Sequence, residues 1–438
     1  QLQTWAKLPA TPGEIDPRFV KYQPQASGPY VDYKLGMAYY KAGNYKLAKR
    51  FLGHLVSSYP SSSLAREAKP LLAQMGYKPK KKKVGAGIRV GVILPLSGKY
   101  ERFGQSTLNG MECAAGTKAG CAGLGNIELI IRDDGGSPGS AIEAVQTLVE
   151  QENVVAIVGP LSSASALAAA KKAQELGVTM ISLAQKQGIP NVGNQIFRFS
   201  LTPNQQIKAL LAYTTKKKGK KSIGVFYPKN NYGKVFMEKF KSLAPSYGAA
   251  VTASHSYTNS QDAQGDIRNL KFSVSKSSPE APIGFNALFI PDSFMAILNL
   301  LPQLKVSGLE TMLLLGTNAW NDPALAQRSG GNLGDAVFLD IYFKGAKNNR
   351  VKTFIREYQA AFGQTPTTLE AMGYDIIRFI SEMAVKNKIR SRPDFRNALD
   401  GTSGYNGVTG LRSFASNREA RLRPYMLTVT GSQIQEIQ

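Results

Sequence analysis

Histidine is scarce in this sequence, because only His54 and His255 occur among its 438 residues and they lie far apart. That scarcity argues against a Ser-His-Asp triad and against a histidine-based zinc site. No GxxxxGK[ST] phosphate loop is present, and the glycine-rich segment 85–91 precedes its predicted strand instead of following it. Asp133 and Asp134 are adjacent after a predicted strand, a pattern more typical of a turn than of a paired acid and base. We predict a protein that is not an enzyme and that holds no metal or cofactor.

Cysteine is equally rare, with Cys113 and Cys121 on either side of a glycine-containing segment. Two cysteines without a neighbouring histidine do not supply the four ligands of a closed zinc site. We predict a local disulfide between them, which places the protein in an oxidising compartment. Two unpaired, buried thiols are the alternative.

Long apolar runs are absent, since no stretch approaches the roughly 20 apolar residues that span a bilayer. The sequence starts at Gln1 without a basic segment followed by an apolar one, so any signal peptide has been removed or was never part of this sequence. The location that we expect is the periplasm. A lipid-anchored precursor stays open. The length and the 43% of hydrophobic residues favour two or three packed domains.

Acidic residues are few, and 54 Lys and Arg against 30 Asp and Glu give a formal charge of +24. Lysines cluster at 78–83 and 216–221, without interleaved aromatic residues or a helix-turn-helix pattern. We therefore predict no nucleic-acid partner and interpret the runs as a solvated linker and a solvated helix end. An anionic surface of the cell envelope is the alternative partner.

The N-terminal part divides into three segments. Residues 1–29 are rich in proline and predict an extended arm, and residues 78–87 predict a basic linker. Between them, residues 30–77 repeat small and aromatic side chains at helical spacing and resemble a tetratricopeptide unit. One such unit does not bury its own face, so we expect it to pack on the next domain, on a partner or on further repeats.

From residue 88 onward, short apolar segments alternate with helix-like segments. This alternation predicts parallel sheets covered by helices, followed by short antiparallel strands at the C-terminus. Open sheets of this type bind ligands beyond the carboxyl ends of their strands. In the first half those ends carry Ser97, Asp133 and the Ser162-Ser163 pair.

Several segments in this part resemble, in order, the type I periplasmic solute-binding proteins, which include the leucine/isoleucine/valine receptors of ABC transporters: RVGVILPLSGKYERFGQSTLNGMECA, VVAIVGPLSSASA, FRFSLTPNQQ, YPKNNYGK, GYDIIRFI and NGVTGLRSF. The resemblance implies an α/β fold of two lobes joined by three crossovers, with a small-molecule ligand in the cleft and an ABC permease or sensor as partner. It implies a first lobe of 88–202 plus 341–400 and a second of 203–340 plus 401–438.

By the same resemblance, one half of an amino-acid site is kept. Ser163, at the start of a predicted helix, matches the serine that holds the ligand carboxylate, and helix N-termini favour anions. Ser97 and Ala184 belong to the same implied site. The alternative for Ser162 and Ser163 is capping of that helix.

The ammonium half departs from the family. Gln185 or Lys186 stands where those receptors use threonine, and Asn318 stands at an acidic position. Because a buried ammonium group needs a counter-charge, we expect an anionic or neutral ligand other than an ordinary amino acid. Tyr232 matches a cleft aromatic residue and Trp320 lies near Asn318, but either side chain could fill the core instead.

A second family resemblance competes with the first. The penicillin-binding-protein activators join a tetratricopeptide-like domain to this fold and stimulate a cell-wall synthase. The helical segment and the altered ammonium half are consistent with that alternative. At Tyr374-Asp375, near the implied hinge, a structural hydrogen bond is at least as plausible as ligand contact.

Overall fold

The computed structural model describes residues 29–58, 63–77, 87–272, 283–330 and 333–437. The predicted extended arm and the predicted basic linker lie outside these ranges, apart from residue 29 of the arm and residue 87 of the linker. Among the described residues, no helix is both long and apolar enough to cross a membrane.

The described part of the N-terminal unit contains the helices α1 (Pro29–Lys41), α2 (Tyr45–Ser58) and α3 (Ser63–Gln74). Leu35 and Tyr39 of α1 pack with Phe51 of α2, and Tyr39 and Phe51 stack with ring centroids 5.6 Å apart. A second cluster joins α2 to α3 through side chains that include Leu52 and Leu72. The third helix therefore covers apolar surface that a single helical pair would expose.

The first sheet has five parallel strands in the order β2-β1-β3-β4-β5. Its strands are short, apolar and covered by helices, as expected for parallel strands. The strands are β1 (Ile88–Leu94), β2 (Ile127–Asp133), β3 (Ala156–Val158), β4 (Thr179–Ser182) and β5 (Ile196–Arg198). The helices between them are α4 (Glu101–Ala115), α5 (Pro138–Glu150) and α6 (Ser163–Glu175).

The second sheet has the order β14-β13-β10-β9-β8-β6-β7, with parallel pairing from β7 to β10 and antiparallel pairing at β13 and β14. Its strands are β6 (Ser222–Pro228), β7 (Ala250–Tyr257), β8 (Ala287–Phe289), β9 (Leu313–Leu315), β10 (Ala336–Asp340), β13 (Tyr425–Thr430) and β14 (Gln433–Glu436). Its helices are α7 (Pro203–Lys216), α8 (Asn231–Leu243), α9 (Gln264–Phe272), α10 (Phe294–Val306) and α11 (Pro323–Arg328).

Within the described ranges, the chain passes between the sheets three times, after β5, after β10 and before β13. Helices α12 (Asn349–Phe362), α13 (Thr368–Asn387) and α14 (Arg392–Gly401) follow the second passage, and α13 packs along α4. The hairpin of β11 (Leu411–Phe414) and β12 (Ala420–Leu422) lies beside β5 through a bridge between Arg198 and Glu419. The C-terminal segment predicted for the second lobe is thus shared between the two sheets, and the lobe boundaries stay a prediction.

Two predicted local features lie at the ends of helices. A disulfide joins Cys113, in the last turn of α4, to Cys121 beyond the glycine turn. The lysine run 216–221 begins at the end of α7, where Lys218 Nζ lies 2.9 Å from the Asp335 carboxylate. The other lysines that are exposed there fit the solvated helix end expected from the sequence.

Candidate functional site

The carboxyl ends of β1 and β2 form the first part of the site. Ser97 is exposed there, while the Asp133 carboxylate accepts hydrogen bonds from the backbone N–H groups of Leu96 and Gly135, both at 2.8 Å. The buried Asp134 accepts from Gly136 N–H at 3.2 Å, and burial raises the pKa of its carboxyl group. Both carboxylates therefore hold the turn after β2.

The loop after β3 presents the two serines differently. Gly159 has φ of 102°, and a Cβ atom there would lie 2.0 Å from the Ile93 carbonyl oxygen, so only glycine fits. Ser162 is the N-cap of α6, and its hydroxyl accepts from Ser165 N–H at 3.2 Å. Ser163 is the first residue of the helix and is exposed. Capping thus belongs to Ser162, and Ser163 stays available at the helix N-terminus.

Arg198 holds the loop after β4 through hydrogen bonds to the backbone of the loop. Its guanidinium group donates to the Gln185 carbonyl at 3.0 Å and to the Lys186 carbonyl, and it pairs with both carboxylate oxygens of Glu419 at 2.6 and 2.8 Å. The side chains of Gln185 and Lys186 are exposed. Ala184 is only 1% exposed, so a ligand at this edge would not meet its side chain directly.

At the second sheet, Tyr232 and Asn318 lie beyond the carboxyl ends of β6 and β9. The Tyr232 hydroxyl lies 3.1 Å from Thr317 Oγ1, and the Asn318 N–H donates to Gln206 Oε1 at 3.0 Å. Burial raises the pKa of Tyr232. Tyr232 remains 38% exposed, which leaves part of its ring accessible at this edge.

Trp320 is placed in the core. It is fully buried, its indole ring lies against Gly316, and its centroid is 6.1 Å from that of Phe338. A ligand at the sheet edge would not reach this ring in the described conformation. The sequence leaves two roles open for Trp320, and its position in the structure corresponds to core packing.

Asp292 was missed by the sequence reasoning, although it follows the apolar segment ALFIP at the end of β8. Its Oδ2 accepts from the Tyr257 hydroxyl at 2.5 Å, and its Oδ1 accepts from Ser293 N–H at 2.6 Å. Burial is the main cause of the raised pKa of Tyr232, and the negative charge of Asp292 raises it further. The sequence shows an acidic residue after this apolar segment, but it does not show which strands lie beside it.

Two further carboxylates lie at the passages between the sheets. Asp375 of α13 accepts from the Tyr405 hydroxyl at 2.8 Å and from the backbone N–H groups of Val408 and Thr409 at 3.1 and 3.0 Å. Asp340, at the end of β10, accepts from Thr368 Oγ1 at 2.9 Å. Burial raises the pKa of both carboxyl groups, that of Asp340 to about 6. Asp375 therefore has the structural role that the sequence left open.

Comparisons with known proteins agree with this architecture. Residues 87–433 match a family model described as periplasmic binding protein, and residues 30–62 match one described as tetratricopeptide repeat. A Leu/Ile/Val-binding protein, BraC3, of Rhizobium johnstonii is 26% identical over 197 aligned residues, and the match covers 43% of this chain and 51% of that relative. The chain thus spans about half the length of this curated relative.

Two solved structures illustrate the similarity in fold. A putative branched-chain amino acid ABC transporter protein from Rhodospirillum rubrum has a TM-score of 0.69 and 19% identity, covering 80% of this chain and 100% of that one. A solute-binding protein of Rhodopseudomonas palustris in complex with 3,4-dihydroxybenzoic acid has a TM-score of 0.60 and 20% identity, covering 81% and 96%. These matches confirm the expected two-lobed α/β fold, and the repeat match confirms the N-terminal unit.

Proposed function

The chain belongs to the periplasmic binding protein family, and on that premise we propose that it captures a small carboxylate ligand between its lobes and presents it to an ABC permease or sensor. In this proposal the protein acts in the periplasm and catalyses no reaction. The ligand is anionic or neutral overall and is not an ordinary α-amino acid.

Ser163 is the observation that carries the proposal. Its hydroxyl and the N-terminal N–H groups of α6 are at an exposed strand end, while the capping bond is already made by Ser162. Helix N-termini concentrate unpaired N–H donors and positive potential, so they favour a carboxylate. Lys186 is exposed at the neighbouring strand end and adds positive charge to the same edge.

The half of an α-amino-acid site that would bind the ammonium group lacks a negative charge at its expected positions. Asn318 carries no charge, and Lys186 would repel an ammonium group placed beside it. We therefore expect leucine, named in the description of the relative, to bind no more tightly than 4-methylpentanoate, which has the same skeleton without the amino group.

A thermal-shift screen of small carboxylates followed by calorimetry tests the proposal. Ser163→Ala should weaken the binding of each acid that the screen identifies about tenfold, because a hydrogen bond to a charged group is lost. Ser246→Ala is the matched control, since its hydroxyl is exposed and bonds only to the nearby Leu243 carbonyl in the described contacts. An unchanged affinity in the Ser163 variant would contradict the assignment.

The helical unit favours a second candidate function, regulation of a peptidoglycan synthase. Its three helices have their own core, and tetratricopeptide units commonly offer surfaces to partner proteins. Binding of a purified synthase to the full chain, compared with a chain lacking residues 1–77, would test this function. Synthase binding that depends on these residues would favour the regulator, whereas acid binding without synthase binding would favour the receptor.

An anionic envelope surface is a further proposed partner. Residues 1–87 contain 15 Lys and Arg against four Asp and Glu, so we expect adhesion to anionic vesicles that weakens with salt. Vesicle binding that is insensitive to salt would argue against this contact. Lipidation of a longer precursor would bring the same region close to a membrane.

A further inference from the structure

Asp292 lies one strand away from Asn318, the neutral residue at the position that is acidic in the receptor family. Strands β8 and β9 are parallel neighbours, and Phe289 is paired with Leu315. Asp292 and Asn318 each lie three residues beyond that pair, at ends of strands that are about 4.8 Å apart. The carboxyl ends of the strands in the second sheet therefore do carry a negative charge. It lies one strand away from Asn318.

The surrounding contacts hold this carboxylate in place without enclosing it. Tyr257, only 2% exposed, donates its hydroxyl to Oδ2, and the backbone of Ser293 donates to Oδ1. Asp292 itself is half-buried, and the one hydrogen bond described for each carboxylate oxygen leaves capacity for a further donor. Tyr232, partly exposed in the first turn of α8, follows β6, the other neighbour of β8, and adds an aromatic surface at the same strand ends.

The two edges consequently have opposite character. The first offers Ser163, helix N–H groups and Lys186, which favour an acid group, whereas the second offers an oriented acceptor. A group that donates hydrogen bonds is attracted to a carboxylate, and a second acid group is repelled by it.

We propose, on the basis of the proposed function, that Asp292 determines ligand specificity by accepting a hydrogen bond from a donor that the ligand carries several bonds from its carboxylate. The donor is a hydroxyl or an ammonium group. An ω-amino acid is neutral overall and a hydroxy acid is anionic, so both fit the expected charge of the ligand. The donor is distinct from an α-ammonium group, which the proposed function excludes.

Matched pairs of probes test the inference by calorimetry. Benzoate is compared with 3,4-dihydroxybenzoate, and butanoate with 4-aminobutanoate. We expect the member with the donor to bind about tenfold more tightly in at least one pair, as is typical for a hydrogen bond to a charged group. The pair that responds distinguishes a hydroxyl from an ammonium donor.

Asp292→Asn should abolish the preference for the amine and reduce that for the hydroxyl, because the amide keeps an acceptor but loses the charge. Asp335→Asn is the control, since this exposed carboxylate precedes β10 at the opposite edge of the same sheet. If the Asn variant does not fold, Asp292→Ser, which removes the charge and keeps a smaller polar side chain, serves the same comparison.

The outcomes separate this inference from the proposed function. The role of Asp292 alone is overturned by either of two results. In the first, each simple acid binds the protein as tightly as its donor-bearing counterpart. In the second, the preference for the donor survives in both Asp292 variants. If none of the four acids binds the wild-type protein, carboxylate capture is overturned and the specificity role with it.

Discussion

Polar groups at the passages between the two sheets differ from those at the sheet edges. Asp375 and Asp340 are buried, and their oxygens accept hydrogen bonds from several donors. At the edges, Ser163 and Lys186 are exposed, and Asp292 is half-buried. A buried carboxylate with its hydrogen bonds made contributes to structure, whereas an accessible group with remaining capacity can meet a ligand.

This difference leads to a general expectation. Substitutions at the passages should change stability first and ligand binding only through it. Substitutions at the edges should change binding with little effect on stability. We expect the change in the free energy of unfolding to decrease from Asp375 through Asp340 and Arg198 to the adjacent serines.

Asp375→Ala is the strongest test of the passage side. The variant leaves the donors of Tyr405, Val408 and Thr409 buried without their acceptor, and such groups cost about 1–3 kcal/mol each. We expect a loss of about 4 kcal/mol in chemical denaturation. Asp262→Ala, at an exposed loop position, should change stability by less than about 0.5 kcal/mol. Equal effects in the two variants would remove the distinction.

Asp340 should make stability depend on pH. Burial raises the pKa of its carboxyl group from 3.8 to about 6, so the folded protein holds this proton more tightly than the unfolded chain. The associated stability is fully present below about pH 4 and is lost as the pH rises through about 6. The difference between wild type and Asp340→Asn should therefore change by up to about 3 kcal/mol across this window.

Denaturation curves of both proteins from pH 4 to pH 7 measure this dependence. Other carboxyl groups titrate in the same range, but they contribute equally to both proteins and cancel in the difference. A difference that stays constant with pH would show that Asp340 does not titrate with folding.

Arg198→Met tests a group that lies between the two classes. Its side chain is nearly buried and ties the exposed loop of Gln185 and Lys186 to Glu419. We expect a loss of about 2 kcal/mol, since several charge-assisted hydrogen bonds disappear, together with weaker ligand binding. Arg421→Met is the control, because Arg421 is exposed on the β11-β12 hairpin that also carries Glu419. Normal affinity in the Arg198 variant would show that the loop does not need this support.

The adjacent serines give the smallest but most specific comparison. Ser162→Ala should cost about 1 kcal/mol in stability, because it removes an N-cap. Ser163→Ala should leave stability nearly unchanged and weaken acid binding. Thermal melts and calorimetry on the two variants measure both properties, and an exchange of the two phenotypes would reverse the assigned roles.

Much of the fold followed from short-range patterns. Alternating apolar and helical segments predicted the parallel sheets, and the helical spacing at 30–77 predicted the repeat unit that the comparison confirms. The N-capping alternative for Ser162 was likewise visible. These features depend on side chains within a few residues of one another, so periodicity and local hydrogen bonding suffice to recognise them.

Several features of the site could not be predicted in this way. Trp320 follows a strand end closely enough to suit either an edge or the core, and only packing on Gly316 and Phe338 decides for the core. Asp292 became a candidate because β8 lies beside β9 and because Tyr257 of β7 reaches it. Neither neighbour is near it in the sequence.

The sequence by itself determined the α/β class, the helical unit and the chemistry available at each strand end, because these depend on local composition and spacing. The tertiary structure decided which strand ends are neighbours, which carboxylates are buried and which serine stays exposed. In parallel sheets, adjacent strands are separated by whole crossover segments, so contacts such as the one between Arg198 and Glu419 join residues more than 200 positions apart. Such contacts are set by the packing of the entire chain.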